Sequence, residues 1–177
     1  MKNILVIFAL LTAAFAGAQK FDLTPNNFAN ADDKSKDFAV VEIPGKSQDE
    51  LFKLAKIYLT SNYKNLKGDG YNEVEPNQIV LTLRSFSATT KLLGIPQIGG
   101  DFVNRYELNF KDGKVMIKPT FQYVEQPDGS GGLAEKDVFN SKGKLTVKQP
   151  VFEAIQNKTN EFVSDFITGI SKDGSDW

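Results

Sequence analysis

Glu73 and Glu75 stand two residues apart in a weakly alternating stretch, so on a strand both carboxylates would point to one face. Paired carboxylates that converge across a sugar are what a glycosidase needs. A solvated strand face gives the same spacing, however, and no catalysis is expected of this pair. Missing residue types narrow the remaining chemistry. The chain has no histidine and no cysteine. Ser-His-Asp and Cys-His nucleophiles, histidine bases, histidine-ligated zinc and disulfides are therefore excluded. Asp128-Gly129-Ser130-Gly131-Gly132 has the composition of a calcium loop. It lacks the Asp-x-Asp-x-Asp-Gly order and a closing glutamate, and reads as a flexible turn. Glycine-rich phosphate motifs are absent. The sequence carries no enzyme signature, and no cofactor and no metal are expected.

The address is more legible than the chemistry. Lys2 precedes the apolar run Ile4 to Leu11 and the small-residue stretch Ala13-Ala14-Phe15-Ala16-Gly17-Ala18. That is the order of a secretory signal, with cleavage expected after Ala18 and Gln19 as the first mature residue. The apolar run is far shorter than the ~20 residues of a spanning helix, so no transmembrane segment is expected in the mature protein. Without a cysteine the signal cannot end in a lipidated residue. A periplasmic or extracellular location follows. The mature chain of about 160 residues suffices for one core without staples. Net charge is −1, and the only arginines are Arg84 and Arg105 among scattered lysines. No nucleic-acid partner is expected.

Between these landmarks the chain divides by period. Residues 19 to 36 are rich in Asn, Asp and Lys with isolated Phe21, Leu23 and Phe28, and read as a flexible arm. Residues 37 to 171 form the single domain, and 172 to 177 a disordered tail. Phe38 to Ile43 is a short strand stopped by Pro44-Gly45. Ser47-Gln48-Asp49-Glu50 is a capping box, after which Leu51, Leu54, Ala55, Tyr58 and Leu59 mark a helical stripe. Tyr71 to Glu75 and Gln78 to Phe86 form a hairpin. Asp101 to Phe110 and Lys114 to Val124 form another, turning at Asp112-Gly113. Its inward parity is Phe102, Tyr106, Leu108 and Phe110, then Val115, Ile117, Phe121 and Tyr123, and Pro119 marks an edge or a bulge. Glu125 to Lys136 reads as a flexible loop, and Lys144 to Lys148 as a short strand. From Pro150 a closing helix keeps Phe152, Ile155, Thr159, Phe162, Val163, Phe166, Ile167 and Ile170 on one face.

The fold class is therefore α+β: a twisted antiparallel sheet of about five strands in the order β-α-β-β-β-β-α, with two helices packed on one face. Val40 to Leu51 (Val-Val-Glu-Ile-Pro-Gly-Lys-Ser-Gln-Asp-Glu-Leu), Tyr106 to Lys114 (Tyr-Glu-Leu-Asn-Phe-Lys-Asp-Gly-Lys) and a signal ending in Ala-Gln resemble an exported bacterial domain-of-unknown-function family with a TATA-box-binding-protein-like fold. The resemblance spans roughly Asp37 to Ile170. It implies a fold; it brings no catalytic residues and no DNA binding. Relative to the short loop expected there, Ser87 to Gly100 looks like an insertion.

Two surfaces are candidates for binding. The parity opposite the core collects Val80, Arg84, Phe86, Val103, Arg105, Met116 and Lys118, more apolar than a solvent face requires. The segment Lys91 to Gly100 holds Leu92, Leu93, Ile95 and Ile98 in a Gly/Pro-broken loop, which either tucks under the sheet or meets a partner. The expected function is non-enzymatic binding of an envelope protein, peptide or lipid ligand. Arg84, Phe86 and Arg105 would be at its centre, with Leu92, Leu93, Ile95 and Ile98 as a flank. An alternative is a lipophilic-ligand carrier, its cavity lined by Tyr106, Phe121, Phe162 and Phe166.

Overall fold

A computed structural model of the protein describes residues 19–63, 66, 70–86, 91–92, 95–96, 101–125 and 132–172; at 86, 91–92, 95–96 and 132–136 it describes the backbone alone. The chain begins with a hairpin, β1 (Phe21–Thr24) and β2 (Asn27–Asn30), followed by β3 (Ala39–Glu42). Gly45, at φ +86°, turns the chain toward α1 (Gln48–Asn62). The capping box is formed. The Ser47 hydroxyl accepts from the Glu50 N–H, and the Glu50 carboxylate accepts from the Ser47 N–H at 2.7 Å. The Ser47 N–H, and then the Ser47 hydroxyl at 2.8 Å, donate to the Glu50 carboxylate and hold it below its ordinary range.

Next come β4 (Asn72–Val74), β5 (Gln78–Phe86), the two-residue strands β6 (Lys91–Leu92) and β7 (Ile95–Pro96), and the long pair β8 (Asp101–Lys111) and β9 (Lys114–Glu125). The turn between β8 and β9 places Gly113 at φ +70°, where a side chain would be strained. β10 (Gly132–Ala134), the short α2 (Glu135–Val138) and α3 (Gln149–Ser171) complete the chain. Pro150 sits in the first turn of α3, where its missing N–H leaves no helical bond unmade.

Six strands make one antiparallel sheet in the order β10-β9-β8-β5-β4, with β3 also paired to β9. β3 and β10 share the outer edge of β9, at Lys114–Ile117 and Tyr123–Glu125 respectively. Both helices lie on the same side. Phe52 of α1 meets Phe110 of β8 edge-on at 5.6 Å, Phe162 of α3 covers Tyr106 of β8 at 3.9 Å, and Tyr58 and Phe166 join the helices at 5.7 Å. Most of each expected stripe is buried, with Leu54, Tyr58, Phe152 and Ile167 half-buried at the margins, and α1 adds Phe52 to its own.

Four expectations are corrected. Residues 19–36 are not a loose arm: Phe21, Leu23 and Phe28 are buried in the main core. The hairpin is fastened by side-chain amides. Asn160 of α3 accepts from the Phe21 N–H and donates to its carbonyl, while Asn27 treats Phe121 of β9 the same way at 2.9 Å on each side. Tyr123 does not face the core. Val103 pairs with Tyr123 but Asn104 with Phe121, so Gln122 has no opposite number and parity flips beyond it. Pro119 lies just before this bulge, on the stretch of β9 that neither β3 nor β10 pairs. The end of the segment read as a loop from 125 to 136 contains β10, and residues 144–148 contribute only an isolated bridge between Phe139 and Leu145.

Candidate functional site

Lateral pairing fixes which side chains share the sheet face that the helices leave uncovered. Across the strands run the rows Val40–Met116–Asn109–Gln78, then Lys118–Glu107–Val80–Asn72, then Thr120–Arg105–Thr82, then Tyr123–Val103–Arg84. All seven residues expected on this face are in these rows or, for Phe86, two residues beyond Arg84 on the same parity.

The face is less apolar in effect than its composition suggests, because its central charges neutralise one another. Arg84 of β5 pairs with Glu125 of β9, which requires the two side chains to meet over β8 between them; Val103, directly beside Arg84 on β8, is buried. Arg105 lies 3.5 Å from Glu107 on its own strand, and Lys118 lies 2.7 Å from Asp37. The hydrogen bond to Asp37 raises the Lys118 ammonium above its usual pKa. These pairs are partly exposed, so each contributes little to stability. Their effect is to leave no concentrated charge at the centre of the face.

Of the candidate binding residues, the fold brings Arg84 and Arg105 together on adjacent strands, since Arg105 sits opposite Thr82. The Phe86 backbone pairs with Asp101. Leu92 and Ile95 pair with each other in the β6–β7 ladder. Leu93 and Ile98 lie outside the described residues.

A feature the sequence reading passed over lies at the other end of this face. Val40, Asn109, Lys111, Lys114 and Met116 enclose an open basin of about 260 Å³ between β3 and the β8–β9 turn. Val40 is 43% exposed despite its apolar side chain. The signal that would have found it is the parity of Lys111 and Lys114 about Asp112-Gly113, read together with Val40 on the neighbouring strand.

On the helix side, the aromatics expected to line a carrier cavity are buried, and Tyr106, Phe162 and Phe166 stack in succession, so rings occupy that space. Thr159 and Asn104 are buried beside the Tyr106 hydroxyl, whose pKa burial pushes far up. Asn104 donates to Thr159 at 3.2 Å, while its Oδ1 has no partner. A second depression, of about 260 Å³, lies where α3 crosses the end of β5, lined by Tyr63, Ser85, Lys158, Glu161 and Asp165 among others. Lys158 is paired with Glu161 at 2.6 Å there. Glu73 is held by Lys56 at 2.9 Å and by the Tyr71 hydroxyl at 2.6 Å. Among the described residues no group of three or more acidic side chains could hold a metal ion, and no helix is long and apolar enough to cross a membrane.

No family model matches the sequence, and no curated protein matches it. Solved structures do match. A TBP-like protein from Parabacteroides distasonis ATCC 8503 superposes with a TM-score of 0.58 at 16% identity, over 76% of this chain and 91% of that one. A DUF4468 family protein from Bacteroides ovatus ATCC 8483 superposes with a TM-score of 0.52 at 14% identity, over 78% of this chain and 86% of that one. At such identities the likeness is one of fold, and the antiparallel sheet with two helices on one side is the TBP-like α+β fold.

Proposed function

We propose that the protein is an exported, non-enzymatic binding domain of the cell envelope whose partner docks on the outer sheet face, Arg84 and Arg105 included. One observation carries this reading: both long helices, and the β1–β2 hairpin with them, seal the same side of the sheet, leaving a broad mixed-polarity face on the other. Such a face, with apolar positions interspersed among paired charges, has the composition of a non-obligate interface. The signal-like order of residues 1–18 supports the address, and the lack of histidine and cysteine supports a role without histidine or thiol chemistry.

The test is photo-crosslinking in cells that express the chain with its leader. A photoreactive residue at Thr82 or Thr120 on the outer face should yield adducts with a defined partner. The same probe at exposed Lys53 or Glu161 on the helices should not. Adducts confined to the helix positions, or none from either outer position, would overturn the reading.

A further inference from the structure

We infer that the basin of Val40, Met116, Asn109, Lys111 and Lys114 seats an acidic peptide segment of a partner protein, one that sets an aliphatic side chain beside aspartate or glutamate. This deepens the outer-face reading and rests on it.

Lys111 and Lys114 face each other directly across the β8–β9 ladder, and like charges in that position destabilise a sheet. The obvious neutralising group is turned away. Asp112, between them in sequence, accepts from the Gln48 N–H at 2.8 Å and so serves the N-terminus of α1 on the helix side. Glu42 stands beside Lys114 in the β3–β9 register without forming an ion pair, and among the described residues neither lysine has a carboxylate within ion-pairing distance. The contrast with the rest of the face is clear: Arg84, Arg105 and Lys118 are each paired. Among the described residues of the face, the cations without an ion-pair partner are thus gathered at this end.

Beside them the floor is apolar. Val40 and Met116 are lateral neighbours on β3 and β9, and Asn109, next in the row, is held by a hydrogen bond from Gln78 at 3.0 Å. That the basin is open to solvent selects the occupant more than its volume does. Pockets that bury a free small molecule run to roughly 300–1,000 Å³ and enclose most of it. A basin of about 260 Å³ open to solvent takes one aliphatic side chain of a larger partner, whose remaining contact spreads over the sheet. A neighbouring carboxylate on that partner then meets the two ammonium groups, which favours encounter as well as register.

The experiment titrates the ¹⁵N-labelled chain, from Gln19 onward, with the acetylated and amidated peptide Glu-Leu-Asp-Leu-Glu. Its counterpart Gln-Leu-Asn-Leu-Gln and free decanoate are run in parallel. Amide shifts should concentrate at 40–42 and 109–116. Affinity should fall roughly tenfold or more for the neutral peptide and for the double variant Lys111→Glu/Lys114→Glu, and about threefold or more for Val40→Ala. Unchanged spectra away from the basin certify that the variants fold. Equal binding of the neutral peptide, shifts centred elsewhere, or tighter binding of decanoate at the same residues would each overturn the proposal, as would silence with the acidic peptide at millimolar concentration. Crosslinking from Thr82 and Thr120 does not depend on this peptide, so failure here leaves the broader outer-face reading standing.

Discussion

Asn27 shows how a single side chain can stand in for a strand. Its backbone sits at φ +74°, a left-handed conformation that asparagine tolerates better than most residues. From there the amide meets both the N–H and the carbonyl of Phe121, on the part of β9 left open between β3 and β10. No periodicity announces such a contact, because it depends on one residue meeting a partner 94 positions away. Asp33 is a second local device. Lys36 at 2.7 Å, then the Ser35 hydroxyl and N–H, hold its carboxyl down at about 2, below the ordinary 3.8. A depressed carboxylate contributes stability that is present above the unfolded value and lost as pH falls through the folded one. The turn at 32–36 should therefore keep its structure at pH 4 and loosen only as pH drops toward 2. Carbon-detected NMR of the Asp33 carboxyl should give that low midpoint, moved up toward the ordinary value in Lys36→Ala. A midpoint near 3.8 in the unmodified chain would rule out these bonds.

At the scale of elements, the strongest sequence signals were those that repeat. The capping box and the closing-helix stripe needed only local spacing, and both formed where that spacing put them. What escaped had a reason in each case. A single extra residue at Gln122 reversed the parity that had been extended from Phe121 to Tyr123. The β1–β2 hairpin has strands of four residues each, too short for an alternating pattern to stand out, and takes its stability from packing and from Asn160 and Asn27. Burying Phe21, Leu23 and Phe28 contributes about 1.5–3 kcal/mol each, a large share of a typical domain's 5–15 kcal/mol. A chain starting at Asp37 should accordingly fail to unfold cooperatively in urea, whereas a dispensable arm would leave the midpoint unchanged.

The contact between α1 and α3 permits an equally specific expectation. Gly169 costs α3 about 1 kcal/mol of helix propensity relative to alanine. A β-carbon there would overlap ring carbons of Tyr58, which is packed against Phe166. Overpacking of this kind costs about 1–3 kcal/mol, so Gly169→Ala should destabilise despite its better propensity. In a Tyr58→Ala background the sign should reverse. Urea unfolding of the four members of the cycle measures both, and additive effects would show that the ring does not limit the site.

For the whole molecule, the division of labour between the two sheet faces is the main result. One face collects the helices, the hairpin and the aromatic core; the other is laced with ion pairs and ends in a cationic basin. The sequence made the parity of that outer face legible, since Val80, Arg84, Val103, Arg105, Met116 and Lys118 all lie there. It did not reveal that Arg84 and Arg105 are neutralised, because Glu125 reaches Arg84 over an intervening strand. Nor did it weigh Lys111 and Lys114, whose nearest acid in sequence turns to the opposite side of the sheet. The centre of the proposed interface thus supplies shape and mixed polarity, and its end supplies charge.

Met116 offers a direct probe of whether the outer face is used. It lies on that face, and the only other methionine is Met1, within the expected leader. Hydroxyl-radical footprinting with mass spectrometry would compare Met116 oxidation in purified protein and in intact cells, normalised to residues exposed on the helices. A face occupied by a partner predicts slower oxidation of Met116 in cells with the helix residues unchanged. Equal Met116 rates in the two settings, or protection confined to the helix side, would contradict it.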